Sequence, residues 1–158
     1  MIHIAAFHAV FFLCAWYALT AGGRPERAAM LAQAVALILT ISTQFLRLFG
    51  DFASLEFWWA IVDGLLLVAL TMIALRADRI WPIVLAGLQL SASFVHLTKM
   101  IYSDLPASGY AVFLQMWAWP MLAVTAWGTR QHQKRIRCFG SEPDWKARRP
   151  QQVHGRPE

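Results

Sequence analysis

Residues 57–75 read FWWAIVDGLLLVALTMIAL, an apolar stretch in which Asp63 is the single charged residue. A helix of this length, at 1.5 Å per residue, reaches across a bilayer core of about 30 Å. The strict alternation of apolar and polar residues that marks a barrel strand is missing. The stretch therefore predicts a transmembrane helix, and the chain on both sides repeats the pattern.

Four further apolar stretches have similar lengths, and short connections containing glycine, proline or aspartate separate them. The composition agrees, because 58% hydrophobic and 15% charged residues are too apolar for a soluble domain. The sequence predicts an all-α, polytopic membrane protein. Residues 1–128 should form a bundle of five transmembrane helices, with spans at about 4–21, 29–49, 57–75, 81–102 and 110–127. No Lys or Arg precedes the first span, so we expect it to be a retained helix rather than a signal peptide.

Basic residues collect in alternate connections, which predicts the orientation. Arg24 and Arg27 lie in the first connection, Arg76 and Arg79 in the third, and eight Lys and Arg residues follow Thr129. By the positive-inside rule, these segments should be cytoplasmic and the amino terminus should be outside. We expect a multi-pass protein of the bacterial inner membrane.

Residues 129–158 predict a basic, disordered cytoplasmic tail. From residue 130 onward there are eight basic and three acidic residues, which accounts for the whole formal charge of +5. Such a composition buries too little apolar surface to fold. Each Lys or Arg near an anionic leaflet can contribute about 1 kcal/mol, so anionic lipid headgroups are expected partners of the tail. Nucleic acid is not expected to bind, because no folded reader is present.

Polar side chains inside the spans are the candidate site, because charged groups at membrane depth are costly and normally face the bundle interior. When the spans are placed by depth, these polar side chains fall into one layer in the periplasmic half of the bundle. Its members are His8, Gln44, Arg47, Asp63, His96, Lys99 and Gln115. We expect Asp63 to neutralise Arg47 or Lys99, with His96 within reach. The cytoplasmic half is expected to be nearly apolar, with Gln33, Thr71 and Thr125 as its polar residues.

Three interpretations of this layer remain open. It can be hydrogen-bonding glue between helices, worth roughly 0.6–2 kcal/mol per contact. It can line a periplasm-facing pocket for a small ligand or a lipid headgroup. It can also be a redox site, with a haem held by His8 and His96 or with a quinone nearby. A transporter would need polar groups in both halves, which the expected apolar cytoplasmic half disfavours.

Signatures of enzymes and metal sites are missing from the sequence. It contains no Gly-rich phosphate loop, no G-x-S-x-G elbow and no H-E-x-x-H motif. Cys14 and Cys138 lie at different depths, and no cluster of Cys and His has metal-ligand spacing. We therefore expect no catalytic residue and no bound metal, and no cofactor beyond the haem alternative.

The segment Arg76-Ala-Asp-Arg-Ile-Trp-Pro82, with Gly87-Leu-Gln89-Leu and His96 after it, resembles small multi-span membrane proteins of alphaproteobacteria. The last span fits the same likeness, from Tyr110-Ala111 through Trp117 and Trp119-Pro-Met-Leu122. The resemblance implies a bacterial inner membrane and no particular mechanism. Tryptophan-rich sensory proteins share only the five-span architecture, because their Trp-Asn-Pro-type motif is missing here.

The sequence thus favours a non-enzymatic accessory or ligand-binding subunit whose polar layer meets a small ligand from the periplasmic side. A partner membrane protein or a second copy of the chain would be a compatible neighbour. The alternative is a small membrane carrier, or a haem- or quinone-associated redox subunit, that uses the same layer.

Overall fold

A computed structural model describes residues 2–46, 52–101, 107–140 and residue 145. These residues form five α-helices and no strand: α1 (Ile2–Ala21), α2 (Arg24–Leu46), α3 (Phe52–Arg76), α4 (Trp81–Ile101) and α5 (Ala107–Phe139). The all-α prediction is confirmed. Each predicted span coincides with one helix, although the helices extend beyond the predicted limits at several ends.

Among the described residues, three helices contain a segment long and apolar enough to cross a membrane. These segments are Arg24–Thr43, Phe57–Arg76 and Trp81–Lys99. α1 contributes a shorter apolar stretch, Ala5–Ala21, which is about 26 Å long at 1.5 Å per residue. In α5, threonines interrupt the apolar residues and basic residues follow from Arg130 onward. By length and composition, the prediction of five spans therefore holds for three.

The helices pack as a ring. Each helix lies against its neighbours in sequence, α1 closes the ring against α5, and α2 also contacts α5. Consecutive helices run antiparallel, so the α1–α2 turn, the α3–α4 turn and the carboxyl-terminal part of α5 meet at one end. We call this the basic end, defined by residues 22–27, 76–82 and 129–139.

The turns of the basic end follow from local sequence. α1 stops at Gly22-Gly23, and a Cβ on Gly22 would collide with the carbonyl oxygen of Ala18. Pro25 and Pro82 each occupy the second residue of a helix, where the missing N–H would have no partner within the helix. Both prolines are fully buried. Glycine and proline therefore allow two tight reversals with little exposed backbone.

Two clusters of buried apolar side chains fill the interior. One centres on α3, α4 and α5, with Leu70 and Leu85 almost fully buried, and the other joins α1, α2 and α5. Near the basic end, the Trp81 indole lies directly on α5, and a Cβ at Gly128 would meet its ring at 2.7 Å. Only glycine lets the two helices approach this closely, so α4 and α5 are tightly packed at the basic end.

α5 continues to Phe139, so the expectation of a disordered tail from residue 129 is wrong for residues 129–139. Arg, Lys and Gln are good helix formers, which lets the helix extend past its apolar part. It ends at Gly140, whose φ of 76° is the left-handed conformation of a helix cap. Beyond it, Trp145 packs against the apolar cluster of α3, α4 and α5. Residues 141–144 and 146–158 lie outside the described part of the chain.

Candidate functional site

Asp63 and His96 form a direct contact between α3 and α4. The Nε2 atom of His96 lies 2.7 Å from Oδ2 of Asp63, so an Nε2–H donates to the carboxylate. The amide of Gln89, two turns before His96, donates to the Asp63 backbone carbonyl at 3.2 Å. The expectation that His96 lies within reach of Asp63 is confirmed. The partner of Asp63 in the contact that the structure shows is this histidine, and the expected pairing with Arg47 stays a prediction because Arg47 lies outside the described residues.

A cavity of about 140 Å³ lies at the centre of the ring, and all five helices contribute to its wall. Most of the wall is apolar, and the polar contributions come from Gln33, Thr40, Asp63 and Gln89. The apolar side chains include the rings of Phe7, Phe11 and Trp117. Among the described residues that line the cavity, Asp63 is the only one with an ionisable side chain. The cavity therefore has a mostly apolar interior and one carboxylate.

The other members of the predicted layer are less closely assembled in the described structure. His8 is half-buried on α1, where its ring meets Phe7 edge to face at 5.7 Å between centroids. Lys99 is half-buried on α4, one turn beyond His96. Gln44 belongs to α2 and Gln115 to α5, but their side chains lie outside the described part of the chain.

Arg47, the remaining member, is itself outside the described residues. The structure therefore brings together His96 and Asp63 from the predicted layer, and adds Gln89, Gln33 and Thr40. Another hydrogen bond in this half joins α3 to α2, from the indole N–H of Trp59 to Thr43 Oγ1 at 2.9 Å.

The basic end contains a buried polar cluster that the sequence analysis did not anticipate. Arg79 donates through Nη1 to Oε1 of Glu26, and both side chains are almost completely buried. The Nη2 atom of Arg79 lies 3.4 Å from Nδ1 of the buried His132. A guanidinium can only donate, so Nδ1 accepts and the neutral ring carries its proton on Nε2. We call these three residues the Glu26–Arg79–His132 cluster.

Two threonines of α5 continue this polarity toward the cavity. The Gln33 amide donates to Thr125 Oγ1 at 2.8 Å, and Thr129 Oγ1 donates to the Thr125 carbonyl at 3.0 Å. The expectation of a nearly apolar half at this end is therefore wrong, although Gln33 and Thr125 were among its predicted exceptions. Arg79 belongs to the predicted third connection, where a charge is normally solvated, but the short turn places it inside the bundle.

A signal for this cluster exists in the sequence. Glu26, Gln33 and Thr40 recur at intervals of seven residues, which places them on one face of α2. Thr125, Thr129 and His132, spaced by four and three residues, likewise share one face of α5. Glu26 and His132 lie just outside the predicted spans, so the helical periodicity within the spans does not include them.

The described residues contain no group of three or more His, Cys, Asp or Glu side chains placed to hold a metal ion. The haem alternative through His8 and His96 stays a prediction, and the two histidines belong to helices that α5 separates in the ring. The Asp63 carboxylate can accept hydrogen bonds from a ligand or pair with a positive charge. No nucleophile stands beside it in the part of the chain that the structure describes.

Comparison of the chain with protein families, with curated proteins and with solved structures finds no match. The resemblance to alphaproteobacterial membrane proteins therefore stays a prediction, and function has to be argued from the cavity and the two polar groups.

Proposed function

We propose that the chain is an integral protein of a bacterial inner membrane and that all five helices cross the bilayer. α1 and α5 pack beside helices that are long enough to span, so their outer faces meet the same lipid. Large apolar side chains are exposed on these faces, including Phe12, Leu13 and Trp16 of α1. Exposed apolar surface of this extent is stable in lipid and unstable in water.

The basic end faces the cytoplasm in this proposal and the amino terminus lies outside. Arg24, Arg27 and Arg76 are exposed there, as are Arg130 and Lys134 of α5, which suits an anionic leaflet. Reporter fusions at residue 1, after Gly50, after Ala77 and at the carboxyl terminus test the orientation. We expect activity on the cytoplasmic side for the last two. A signal outside the cell from the carboxyl-terminal fusion would overturn the proposed topology.

The proposed activity is binding, without catalysis: the protein is an accessory or binding subunit that holds a small ligand in the central cavity. One observation carries this proposal. A cavity lined by all five helices has a carboxylate on its wall, although a charged group is expensive at membrane depth. Its volume of about 140 Å³ resembles that of cavities that admit a benzene-sized molecule. A purely structural polar contact would not need this open space beside it.

Binding is tested with probes of one shape and three charges: butylammonium, 1-butanol and butyrate. Calorimetric titration of the detergent-purified protein should detect binding of at least one probe. Ala92→Leu, which adds three carbon atoms to a buried residue of the cavity wall, should weaken it. Ala32→Leu adds the same atoms to the groove between α2 and α3 and should have no effect. If no probe binds, or if both variants behave alike, the cavity is not a ligand site.

A second candidate, a small carrier, is favoured by the buried polar groups between the cavity and the basic end. A carrier needs polar groups in both halves of the bundle. In the half nearer the basic end, these groups are Gln33, Thr125 and the Glu26–Arg79–His132 cluster. Release of trapped choline from liposomes separates the two functions. An accessory subunit binds without accelerating release, whereas a carrier accelerates it above the rate of empty liposomes.

A further inference from the structure

We infer that the ligand of the central cavity is a small organic cation, an ammonium ion with a few carbon atoms. This inference rests on the proposed binding function and specifies its chemistry. The geometry that carries it is a single carboxylate in a small cavity whose wall is otherwise apolar, aromatic or uncharged.

The sign of the charge is the first argument. Asp63 is the only ionisable residue among the described side chains that line the cavity, and 25% of its side-chain surface is accessible. The described basic side chains of this half do not line the cavity: His96 is buried and holds Oδ2, and Lys99 is one turn farther along α4. On α1, His8 is half-buried beside Phe7. Among the described residues that line the cavity, a ligand therefore meets a carboxylate and no basic side chain.

The geometry of Asp63 is the second argument. His96 contacts Oδ2 of the carboxylate, and Gln89 contacts the Asp63 backbone carbonyl, which joins α4 to α3 at the same place. The contact with His96 fixes the orientation of the carboxylate before a ligand arrives, which lowers the entropy lost on binding. In a mostly apolar surrounding, a charge-assisted contact is stronger than the same contact in water. His96 is thus a positioning residue, and Asp63 is the group that meets the cation.

The aromatic wall is the third argument. Phe7, Phe11 and Trp117 line the cavity, and the Phe7 ring is fixed edge to face against Trp119 at 5.5 Å between centroids. Ring faces attract cations, and quaternary ammonium groups are the usual ligands of such surfaces. The apolar remainder suits the carbon atoms of an ammonium ligand, and the volume limits them to a few.

The test compares pairs of probes that differ in charge and have nearly the same shape. Butylammonium is matched by 1-butanol, and choline is matched by 3,3-dimethyl-1-butanol. Calorimetry on the full-length protein in detergent gives the affinity of each. At least one cation should bind about tenfold more tightly than its neutral match, the size of one charge-assisted contact. The preference should disappear in Asp63→Asn and weaken as added salt rises.

His96→Gln keeps a hydrogen-bond donor beside Asp63 and should retain the preference, whereas His96→Ala should reduce it. Equal affinities for cations and neutral matches would overturn the inference but leave the binding function standing. Preferential binding of butyrate would also overturn it. Absence of binding by every probe would contradict the binding function itself, so the two failures are distinguishable.

Discussion

The Asp63–His96 pair and the Glu26–Arg79–His132 cluster are both buried polar contacts between helices, but one is open and the other closed. Asp63 keeps 25% of its side-chain surface accessible beside a cavity. Glu26 and Arg79 are 0% and 3% exposed, and a Cβ on Gly22 would meet the Glu26 side chain at 2.7 Å, so no space is left beside it. A carboxylate beside open volume can meet a ligand, whereas one sealed against a guanidinium stabilises the fold. The candidate site differs from the structural cluster by the open volume beside its carboxylate more than by the burial of its side chains.

The largest effect is expected in the closed cluster. Arg79→Met removes the partner of a fully buried carboxylate, and breaking such a pair costs about 3–5 kcal/mol of unfolding free energy. Denaturant unfolding in detergent measures this loss. The matched control is Arg76→Met, because Arg76 is exposed at the end of α3 and should change stability by about 0.5 kcal/mol or less. Equal losses from the two variants would mean that the cluster contributes nothing specific.

Glu26 is the second half of that prediction. Oε2 of Glu26 is buried and has no hydrogen-bond partner among the described residues. Glu26→Gln combined with Arg79→Met removes both charges, and the double variant should be more stable than Arg79→Met alone. If the two losses simply add, the ion pair is not the reason for the instability.

The next effect tests how tightly the basic end is packed. Gly128→Ala places a methyl group against the Trp81 indole, and overpacking of this kind costs about 1–3 kcal/mol. Gly87→Ala is the control, because a Cβ there meets nothing within 4 Å. That change should be neutral or stabilise α4 by up to about 1 kcal/mol. If the packing contrast is real, thermal unfolding should show that Gly128→Ala lowers stability, whereas Gly87→Ala leaves it unchanged or raises it.

The open pair should contribute less to stability. Asp63→Asn weakens the contact with His96, and the loss should lie near the lower end of about 1–3 kcal/mol because the carboxylate reaches open volume. The exposed Asp78, in the α3–α4 turn, provides the control variant Asp78→Asn. The same unfolding assay applies. A loss as large as that of Arg79→Met would show that Asp63 is a closed structural group.

The smallest effect is expected between the two regions. Thr125→Val removes the hydrogen bond from Gln33, and contacts of this kind in membrane bundles average about 0.6 kcal/mol. Thr71→Val, at an exposed position on α3, should change stability less. If both variants lose the same unfolding free energy, this hydrogen bond makes no net contribution to stability.

The sequence predicts the helices well because each apolar stretch is long and is bounded by glycine, proline or charge. Asp63 stands out for the same reason, since a lone carboxylate in FWWAIVDGLLLVALTMIAL demands a polar partner. The partner is harder to predict, because it depends on which face of α4 turns toward α3. Depth along the helices places Arg47, Lys99 and His96 in one layer with Asp63, and the packing of α4 on α3 is what brings His96 into contact with it.

The basic end was misread for a physical reason. Arg79 lies in a turn, and a turn residue is normally solvated. The tight reversals at Gly22 and Pro82 instead bury its side chain between Glu26 of α2 and His132 of α5. The continuation of α5 was missed because a basic composition predicts disorder when no packing partner is known. His132 becomes a core residue only when α5 extends beside the α3–α4 turn. Contacts of this kind join distant parts of the chain, so the local sequence pattern indicates them only weakly.

Carbodiimide labelling compares the open and closed carboxylates most directly. A small carbodiimide with methylamine converts accessible carboxyl groups into amides, and mass spectrometry locates them. We expect an adduct at Asp63 that choline suppresses and 3,3-dimethyl-1-butanol does not, and no adduct at Glu26 while the protein is folded. Labelling of Glu26 at the rate of Asp63, or labelling of Asp63 that choline does not change, would contradict the distinction between an open ligand site and a closed structural cluster.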